Sequence, residues 1–216
     1  MATKKVKYSV YFLILFYFVG IAGFILPATR ALFSILTPFA LLLSAGFLAA
    51  FHRPRFTLHL LIVFVLIFLL SFFAEMIGVK TGLLFGHYNY GSGLGPKIWE
   101  TPIIIGLNWL MLVYCTRIIA GYVFNPAALK ILFASLLMVA YDVILEKAAP
   151  LLNMWSWEGS VVPLQNYIAW FVLALLFHIL LNRAGVRISN KLALPVFVIQ
   201  ALFFVILIFF YRTFAS

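Results

Sequence analysis

Charged residues, and acids above all, are scarce in this sequence. Only 9% of its 216 residues are charged, and the acids number just five, Glu75, Glu100, Asp142, Glu146 and Glu158. Soluble domains are about one quarter charged, so a water-soluble globular fold is excluded. An intrinsically disordered chain is excluded as well, because 66% of the residues are hydrophobic.

Cysteine is almost absent. The single Cys115 excludes a disulfide within the chain and a metal site built from several cysteines. The four histidines show no paired spacing such as His-x-x-x-His, so we expect no metal. The 15 Lys and Arg residues are scattered among apolar stretches and form no basic face, which argues against nucleic-acid binding. No dinucleotide fingerprint is present.

Long apolar runs fill most of the chain. A transmembrane helix needs about 20 mainly apolar residues, and seven stretches meet this requirement, at residues 8–26, 31–51, 56–77, 101–124, 127–146, 163–181 and 192–211. We therefore predict an all-α fold, a polytopic membrane bundle of about seven transmembrane helices that forms one domain over residues 1–216. The first stretch is about twice as long as a signal-peptide core and lacks a clean cleavage site, so we expect it to be retained.

The basic residues predict how the helices are oriented. With seven spans, ten Lys and Arg residues fall on the side of the N-terminus and five on the other side. The positive-inside rule then places the N-terminus in the cytoplasm and the C-terminus outside. All five acids fall on the less basic side, although acids contribute little to orientation. This grouping of acids at one end of the bundle suggests a functional use.

Asp142 is the sharpest signal among the acids. It lies about 18 Å along the helix from Lys130, which places it inside the hydrocarbon region, where ionisable groups are by default functional. Glu146 shares its helix face, and two carboxylates in an apolar cleft tend to hold a proton between them. One of them is then a neutral acid that can donate a proton. In the alternative structural role, Asp142 pairs with Arg117 or a neighbouring helix, and Glu146 pairs with Lys147.

A loop rich in glycine and tyrosine follows the third helix. The motif that includes it opens at Glu75, at the end of the third helix, and contains Tyr88 and Tyr90, whose rings offer aromatic faces with polar tips. His87, beside these tyrosines, is a candidate acid–base helper. An ordered surface loop within an interfacial aromatic belt is the alternative interpretation.

Further polar and aromatic residues lie at the same membrane level as these acids. They are Asn108 and Trp109 in the fourth helix, Trp155 and Trp157 before the sixth, and Asn166 and Trp170 within the sixth. A buried Asn is equally explained as a contact between helices worth about 0.6 kcal/mol, and tryptophans as an interfacial belt. The convergence of several segments nevertheless predicts a site. The order acid, Trp-Glu, Pro, Asn and Trp follows both the third and the fifth helix, which is a short internal echo.

A set of motifs extends over about residues 75–170. They are Glu75-x-x-Gly78-x-x-Thr81-Gly82-x-x-Phe85-Gly86-x-Tyr88-x-Tyr90-Gly91, Leu94-Gly95, Pro102, Asn108-Trp109, Asp142-x-x-x-Glu146, Trp155-x-Trp157 and Pro163-x-x-Asn166-x-x-x-Trp170. In these motifs the sequence resembles the membrane-integral carotenoid biosynthesis family, which includes 1,2-hydratases acting on γ-carotene and on bisanhydrobacterioruberin. The family pattern has a proline directly after the second acid, where this chain has Lys147.

The resemblance implies a cofactor-independent hydratase, a lyase that adds water across the terminal 1,2 double bond of an acyclic (ψ) carotenoid end group. A neutral carboxylic acid would protonate the less substituted carbon to give a tertiary carbocation, and a second carboxylate would activate water to form a tertiary alcohol. We expect Asp142 as the acid, with Glu75 or Glu146 positioning water. Asn108 and Asn166 would orient these groups, and the pocket would be lined by Trp109, Tyr88, Tyr90, Trp155, Trp157 and Trp170.

The implied surroundings follow from the same resemblance. The expected partners are a carotenoid substrate within the bilayer, the lipid itself and other enzymes of the carotenoid pathway. The expected location is the cytoplasmic membrane of a bacterium or archaeon.

Two other functions are compatible with these residues. A lycopene-type cyclase needs the same acid but lets a neighbouring double bond, instead of water, capture the cation. A small non-enzymatic membrane transporter would place polar groups along a path through the bundle, whereas these residues crowd one end. A retinal-binding photoreceptor is disfavoured because the last span has no lysine. Product mass separates hydration, which adds one water, from cyclisation, which is isomeric.

Overall fold

The computed structural model describes residues 2–214, with side chains from Lys4 onward. Within this part of the chain it has seven helices, α1 Ala2–Ile25, α2 Pro27–Ala50, α3 Leu58–Thr81, α4 Ile104–Val123, α5 Ala127–Ala148, α6 Leu164–Arg183 and α7 Ala193–Phe214. Each helix is long and apolar enough to cross a membrane. The predicted bundle of seven membrane helices is confirmed, whereas the orientation of its termini stays a prediction.

Local signals in the sequence set the helix ends. The Thr57 hydroxyl accepts a hydrogen bond from the Leu60 backbone N–H and so caps the start of α3. Gly82 ends α3 with a left-handed φ of 67°, a conformation that glycine adopts without steric cost. α5 continues past Glu146 to Ala148, so Lys147 extends the helix at the position where the family pattern has proline.

Helices α3 to α6 form a closed ring. α3 packs on α4, α4 on α5, α5 on α6, and α6 back on α3, while α1, α2 and α7 pack together beside the ring. Successive helices run in opposite directions. The C-terminal ends of α3 and α5 therefore meet the N-terminal ends of α4 and α6 at one end of the bundle, which we call the site end.

A buried hydrogen-bond network joins these two groups of helices. Gln200 Nε2 of α7 donates to the Tyr17 hydroxyl of α1 at 2.8 Å, and this hydroxyl lies 2.9 Å from Ser44 Oγ of α2. The Tyr141 hydroxyl of α5 donates to Gln200 Oε1 at 3.5 Å. Hydrogen bonds between membrane helices average about 0.6 kcal/mol each, so the network orients the helices more than it stabilises them.

Two short β ribbons between the helices are a feature that the all-α prediction lacks. β1 Tyr88–Tyr90 pairs antiparallel with β4 Trp155–Trp157, and β2 Lys97–Ile98 pairs antiparallel with β3 Thr101–Pro102. β3 also corrects the predicted start of the fourth span at residue 101, because α4 begins only at Ile104. Both ribbons lie at the site end, because their strands occupy the loops that leave α3 and α5.

Gly91, directly after β1, sets how closely the two loops approach. Its backbone N–H donates to the Met154 carbonyl at 2.8 Å. A Cβ atom at this position would collide with the carbonyl oxygen of Asn153. The β1–β4 ribbon thus needs a residue without a side chain at Gly91.

Candidate active site

Glu75, near the end of α3, accepts hydrogen bonds from three aromatic side chains. The Tyr88 and Tyr90 hydroxyls donate to its Oε2 at 2.6 and 2.8 Å, and the Trp109 indole donates to its Oε1 at 2.8 Å. The side chain is buried, with 4% of its surface exposed. A carboxylate only accepts hydrogen bonds, so a shell made solely of donors suits it.

Glu146, near the end of α5, is held in a similar way. The indoles of Trp155 and Trp157 donate to its Oε2 at 3.0 and 2.5 Å. Asn166 Nδ2 of α6 donates to its Oε1 at 3.1 Å. Glu146 is therefore also a buried acid with three hydrogen-bond donors around it.

Asn166 links Glu146 to Asp142. The same Nδ2 group donates to Asp142 Oδ2 at 2.9 Å. The second oxygen of Asp142, Oδ1, is buried and has no hydrogen-bond partner among residues 2–214. This oxygen can carry a proton without displacing any contact of the protein.

Of the structural alternatives, the hydrogen bond from a neighbouring helix to Asp142 forms, through Asn166 of α6, whereas the two ion pairs do not. Arg117 Nη2 donates to Asn182 Oδ1 at 3.2 Å, so its guanidinium is directed to α6 and not to Asp142. Glu146 is bonded to Trp155, Trp157 and Asn166, and within the described part of the chain no ion pair reaches it from Lys147. Hydrogen-bond donors, and not cations, surround the three buried acids Glu75, Asp142 and Glu146.

The β1–β4 ribbon explains why two phenols and two indoles converge here. Its register places Tyr88 opposite Trp157 and Tyr90 opposite Trp155. Side chains alternate between the two faces of a strand, so these four rings are buried under the ribbon while the intervening residues are exposed. The ring centroids of Tyr88 and Trp157 are 5.0 Å apart, and those of Tyr90 and Trp155 are 6.0 Å apart. The ribbon caps the space between the glutamates with aromatic side chains.

Both phenols of the ribbon remain hydrogen-bond donors at physiological pH. Burial in the first place, and the nearby Glu75 carboxylate in the second, raise the pKa of Tyr88 and of Tyr90 well above the usual value of about 10. Each therefore keeps its O–H proton, which it donates to Glu75.

A cavity of about 20 Å³ lies between Glu75 and Glu146, and we call it the site cavity. Besides the two glutamates, it is lined by Phe85, Tyr88, Tyr90, Ile105, Trp155, Trp157, Asn166 and Trp170. This volume suits about one water molecule, and the two carboxylates and the amide supply the polar partners that a buried water needs. Asp142 does not line the site cavity and lies behind Glu146, joined to it through Asn166.

The internal echo in the sequence has a structural counterpart. Each glutamate lies in the last two turns of a helix and accepts hydrogen bonds from two aromatic residues of the next strand, Tyr88 and Tyr90 for Glu75, Trp155 and Trp157 for Glu146. Each also accepts from one residue of the next helix, Trp109 for Glu75 and Asn166 for Glu146. The units α3–β1–α4 and α5–β4–α6 thus contribute matching halves of the site.

Some predicted residues lie apart from the acids. Asn108 is buried, but no hydrogen bond joins its side chain to Glu75, Glu146 or Asp142; it lines a neighbouring cavity. The side chains of His87, Glu100 and Glu158 are exposed and form no contact with the buried acids. The exposed position of His87 gives no support to the prediction that it assists acid–base chemistry.

Of the two remaining predicted aromatic residues, Trp170 lines the site cavity, whereas Trp109 does not and packs against Trp170. The rings of Trp109 and Trp170 stack with centroids 4.0 Å apart and an interplanar angle of 24°. Sequence reasoning assigned no role to Phe85 and missed Ile105, both of which line the site cavity. Phe85 belongs to the glycine-rich motif, whereas an isoleucine in an apolar helix gives no signal that could have singled it out.

Comparison with known proteins agrees with this picture of the chain. The sequence profile of the family described as "Carotenoid biosynthesis protein" matches residues 30–215. Bisanhydrobacterioruberin hydratase of Haloarcula japonica is 30% identical in an alignment of 131 positions that covers 55% of this chain and 45% of that protein. The aligned part thus covers less than half the length of this relative. No solved structure matches the chain.

Proposed function

The chain belongs to the carotenoid biosynthesis protein family, and we propose that it is a hydratase that adds water across the terminal 1,2 double bond of an acyclic (ψ) carotenoid end group. The observation that carries this proposal is the site cavity, which lies between two buried glutamates under an aromatic cap and suits about one water molecule. The name of the Haloarcula japonica relative supports the same reaction class.

The proton that starts the reaction is assigned to the pair Asp142 and Glu146. Three buried carboxylates without a cationic partner cannot all be ionised at moderate cost. Asp142 and Glu146 share one amide donor, and Asp142 has a free oxygen that can hold a proton. Since coupled acids titrate as a unit, the pair as a whole is the proton donor. Within it, Glu146 lines the site cavity and is the member nearer to the substrate.

The proposed reaction has two steps, proton transfer and capture of the cation by water. The pair transfers a proton to C2 of the end group, and the π electrons form the new C–H bond, leaving a tertiary carbocation at C1. A water molecule in the site cavity attacks C1 through its oxygen. Glu75, on the other wall, accepts the proton that this water loses. The product is a tertiary alcohol, and the net change is the addition of one water.

The cap stabilises the cation between these two steps. The rings of Tyr88, Tyr90, Trp155, Trp157 and Trp170 line the site cavity, in which C1 would lie. A cation over an aromatic face gains about 2 kcal/mol or more when the pair is desolvated. The enzyme then resets when the proton on Glu75 returns to the pair through water in the same cavity. Hydration changes no net oxidation state, so the proposal requires no redox cofactor.

Cyclisation is the competing outcome for the same cation. A cyclase would hold a neighbouring double bond against C1 and exclude water from the site. The polar partners around the site cavity favour water as the trapping group.

The experiment is expression in a host that accumulates lycopene or γ-carotene, with the pigments identified by mass. We expect products heavier by one water or by two, according to the number of ψ end groups. Isomeric products would show cyclisation instead. Unchanged pigments in hosts supplying several acyclic carotenoids would overturn the proposal.

Asp142→Asn in this host is expected to lower hydration by about 100-fold or more, the usual range for loss of an acid–base group. The amide fits the same space but cannot hold the shared proton. Glu158→Gln, which changes an exposed acid at the site end, is the matched control and should hydrate like the wild type. Protein levels in the membrane are measured alongside, so that a loss of folded enzyme is recognised. Normal hydration by Asp142→Asn would contradict the role of the pair.

A further inference from the structure

We infer that the carotenoid reaches the site sideways from the lipid, through a cleft between α1, α2 and α7, and passes Asn108 before its end group meets the acids. This inference deepens the proposed function and rests on it. It concerns three neighbouring spaces, the site cavity and two others that lead outward from it.

The outermost space, which we call the outer cleft, has a volume of about 170 Å³. It opens between α1, α2 and α7 and is lined mainly by apolar side chains, six of which are Phe16, Phe24, Phe33, Phe39, Phe203 and Phe204. Of its polar members, Tyr17 and Gln200 are bonded to each other, and the Thr37 hydroxyl donates to the Phe33 carbonyl. The remaining surface is apolar and rich in phenylalanine, which suits a polyene chain and offers nothing to a polar ligand.

A second small cavity of about 20 Å³, which we call the neck, lies between the outer cleft and the site cavity. The neck shares the lining residues Thr37, Leu41 and Phe204 with the outer cleft. It shares Ile105 and Trp155 with the site cavity. The three spaces therefore lie one beside the next, divided by the side chains that they share, and the path inferred for the substrate follows them from the lipid-facing helices to the glutamates.

Asn108 stands at the middle of this path. Its side chain lines the neck and has no hydrogen-bond partner within the described residues, although it is buried. A free amide at this point contacts whatever passes through the neck. This location gives Asn108 a role in receiving the substrate, in place of the predicted role of orienting the carboxylates.

Trp155 separates the neck from the site cavity. The site cavity is about the size of one water, whereas an isoprenoid end group with its two methyl groups is several times larger. The end group therefore fits only if the two spaces merge. One hydrogen bond of 3.0 Å ties the Trp155 indole to Glu146, and rotation of this ring would join them. Trp155 is thus the partition that the substrate displaces.

The test is a substitution by a larger side chain at Thr37, which lines both the outer cleft and the neck. Thr37→Phe places a ring in the path, and the threonine hydroxyl bonds only to the Phe33 carbonyl of its own helix, so no distant partner is lost. We expect hydration to fall by about 100-fold, the cost of a misplacement of about 1 Å at the reacting atoms. Leu42→Phe, on the exposed face of α2, is the matched control and should leave hydration unchanged.

A third variant tests the other large opening beside α2. A cleft of about 180 Å³ between α2, α3 and α4 contains Ala45 but shares no wall with the neck. Ala45→Phe should therefore hydrate like the wild type. Full hydration by Thr37→Phe, or a selective loss in Ala45→Phe, would overturn the inferred path.

A second measurement separates failure of the path from failure of the proposed function. Quenching of tryptophan fluorescence by added lycopene, in purified detergent-solubilised protein, reports binding close to the five tryptophans of the chain, Trp155 among them, without requiring turnover. We expect quenching in the wild type, Leu42→Phe and Ala45→Phe, and its loss in Thr37→Phe. If the wild type binds lycopene in this pattern but adds no water to any acyclic carotenoid, the path stands and the hydratase proposal falls. If Thr37→Phe folds poorly, as its melting temperature would show, Ala40→Leu narrows the outer cleft more gently and should weaken quenching.

Discussion

Glu75→Gln is expected to abolish measurable hydration, with a fall in turnover of about 1,000-fold. Glutamine cannot accept a proton from water. Its NH₂ group would also face donors, because Tyr88, Tyr90 and Trp109 all donate to the native carboxylate. The Glu75→Gln substitution therefore removes the base and also disturbs the hydrogen bonds that hold this side chain. We expect a larger effect on hydration here than for Asp142→Asn.

The matched control for this variant is Glu100→Gln. Glu100 is an acid between β2 and β3, in the loop that follows α3, but it is exposed and lies outside the site cavity. The Glu100→Gln variant should hydrate the carotenoid at the wild-type rate in the carotenoid-producing host. Activity in Glu75→Gln equal to that of Glu100→Gln would show that Glu75 is not the base.

Gly91→Val is expected to disrupt the site through the ribbon instead of through the acids. A Cβ atom at Gly91 collides with the Asn153 carbonyl, so the loops that carry β1 and β4 must move apart. Overpacking of this kind costs about 1–3 kcal/mol, and here it also withdraws the ribbon's donors from both glutamates. We expect a lower melting temperature in detergent, a changed near-ultraviolet circular dichroism signal from the tryptophans, and hydration below detection.

Gly121→Val provides the comparison for that substitution. Gly121 lies in α4, where a Cβ atom would meet nothing within 4 Å. The same change of residue type should therefore leave hydration intact. A wild-type spectrum and activity in Gly91→Val would show that the close approach of the two loops is not needed.

The sequence predicted the seven helices because each apolar run is long enough to cross a bilayer, and it predicted that acids and aromatic residues meet at one end. It could not predict the β1–β4 ribbon. A strand of three residues has no usable periodicity, and its paired residues in the partner strand lie 65 to 69 positions further along the chain. Yet this pairing is what brings Tyr88 and Trp157 together.

The roles of single residues were harder to predict because they depend on how each helix is rotated. Asn108 and Trp109 are adjacent in sequence, but only Trp109 reaches Glu75, while Asn108 faces the neck. Arg117 could have met Asp142 by sequence position alone, and the packing of α4 directs it to Asn182 instead. Apolar helices carry weak rotational signals, since nearly every position is compatible with either lipid or core.

The ribbon holds the two glutamates by different strands, β1 through Tyr88 and Tyr90 and β4 through Trp155 and Trp157. In the proposed cycle, negative charge leaves Glu75 as it arrives at the pair containing Glu146. Hydrogen bonds to a charged acceptor are about twice as strong as those to a neutral one. At every stage of the cycle at least one of the two glutamates is ionised, Glu75 before it accepts the proton from water and Glu146 after the pair has lost its own. The ribbon therefore always keeps charge-assisted hydrogen bonds, and these hold it over the carbocation without a separate lid.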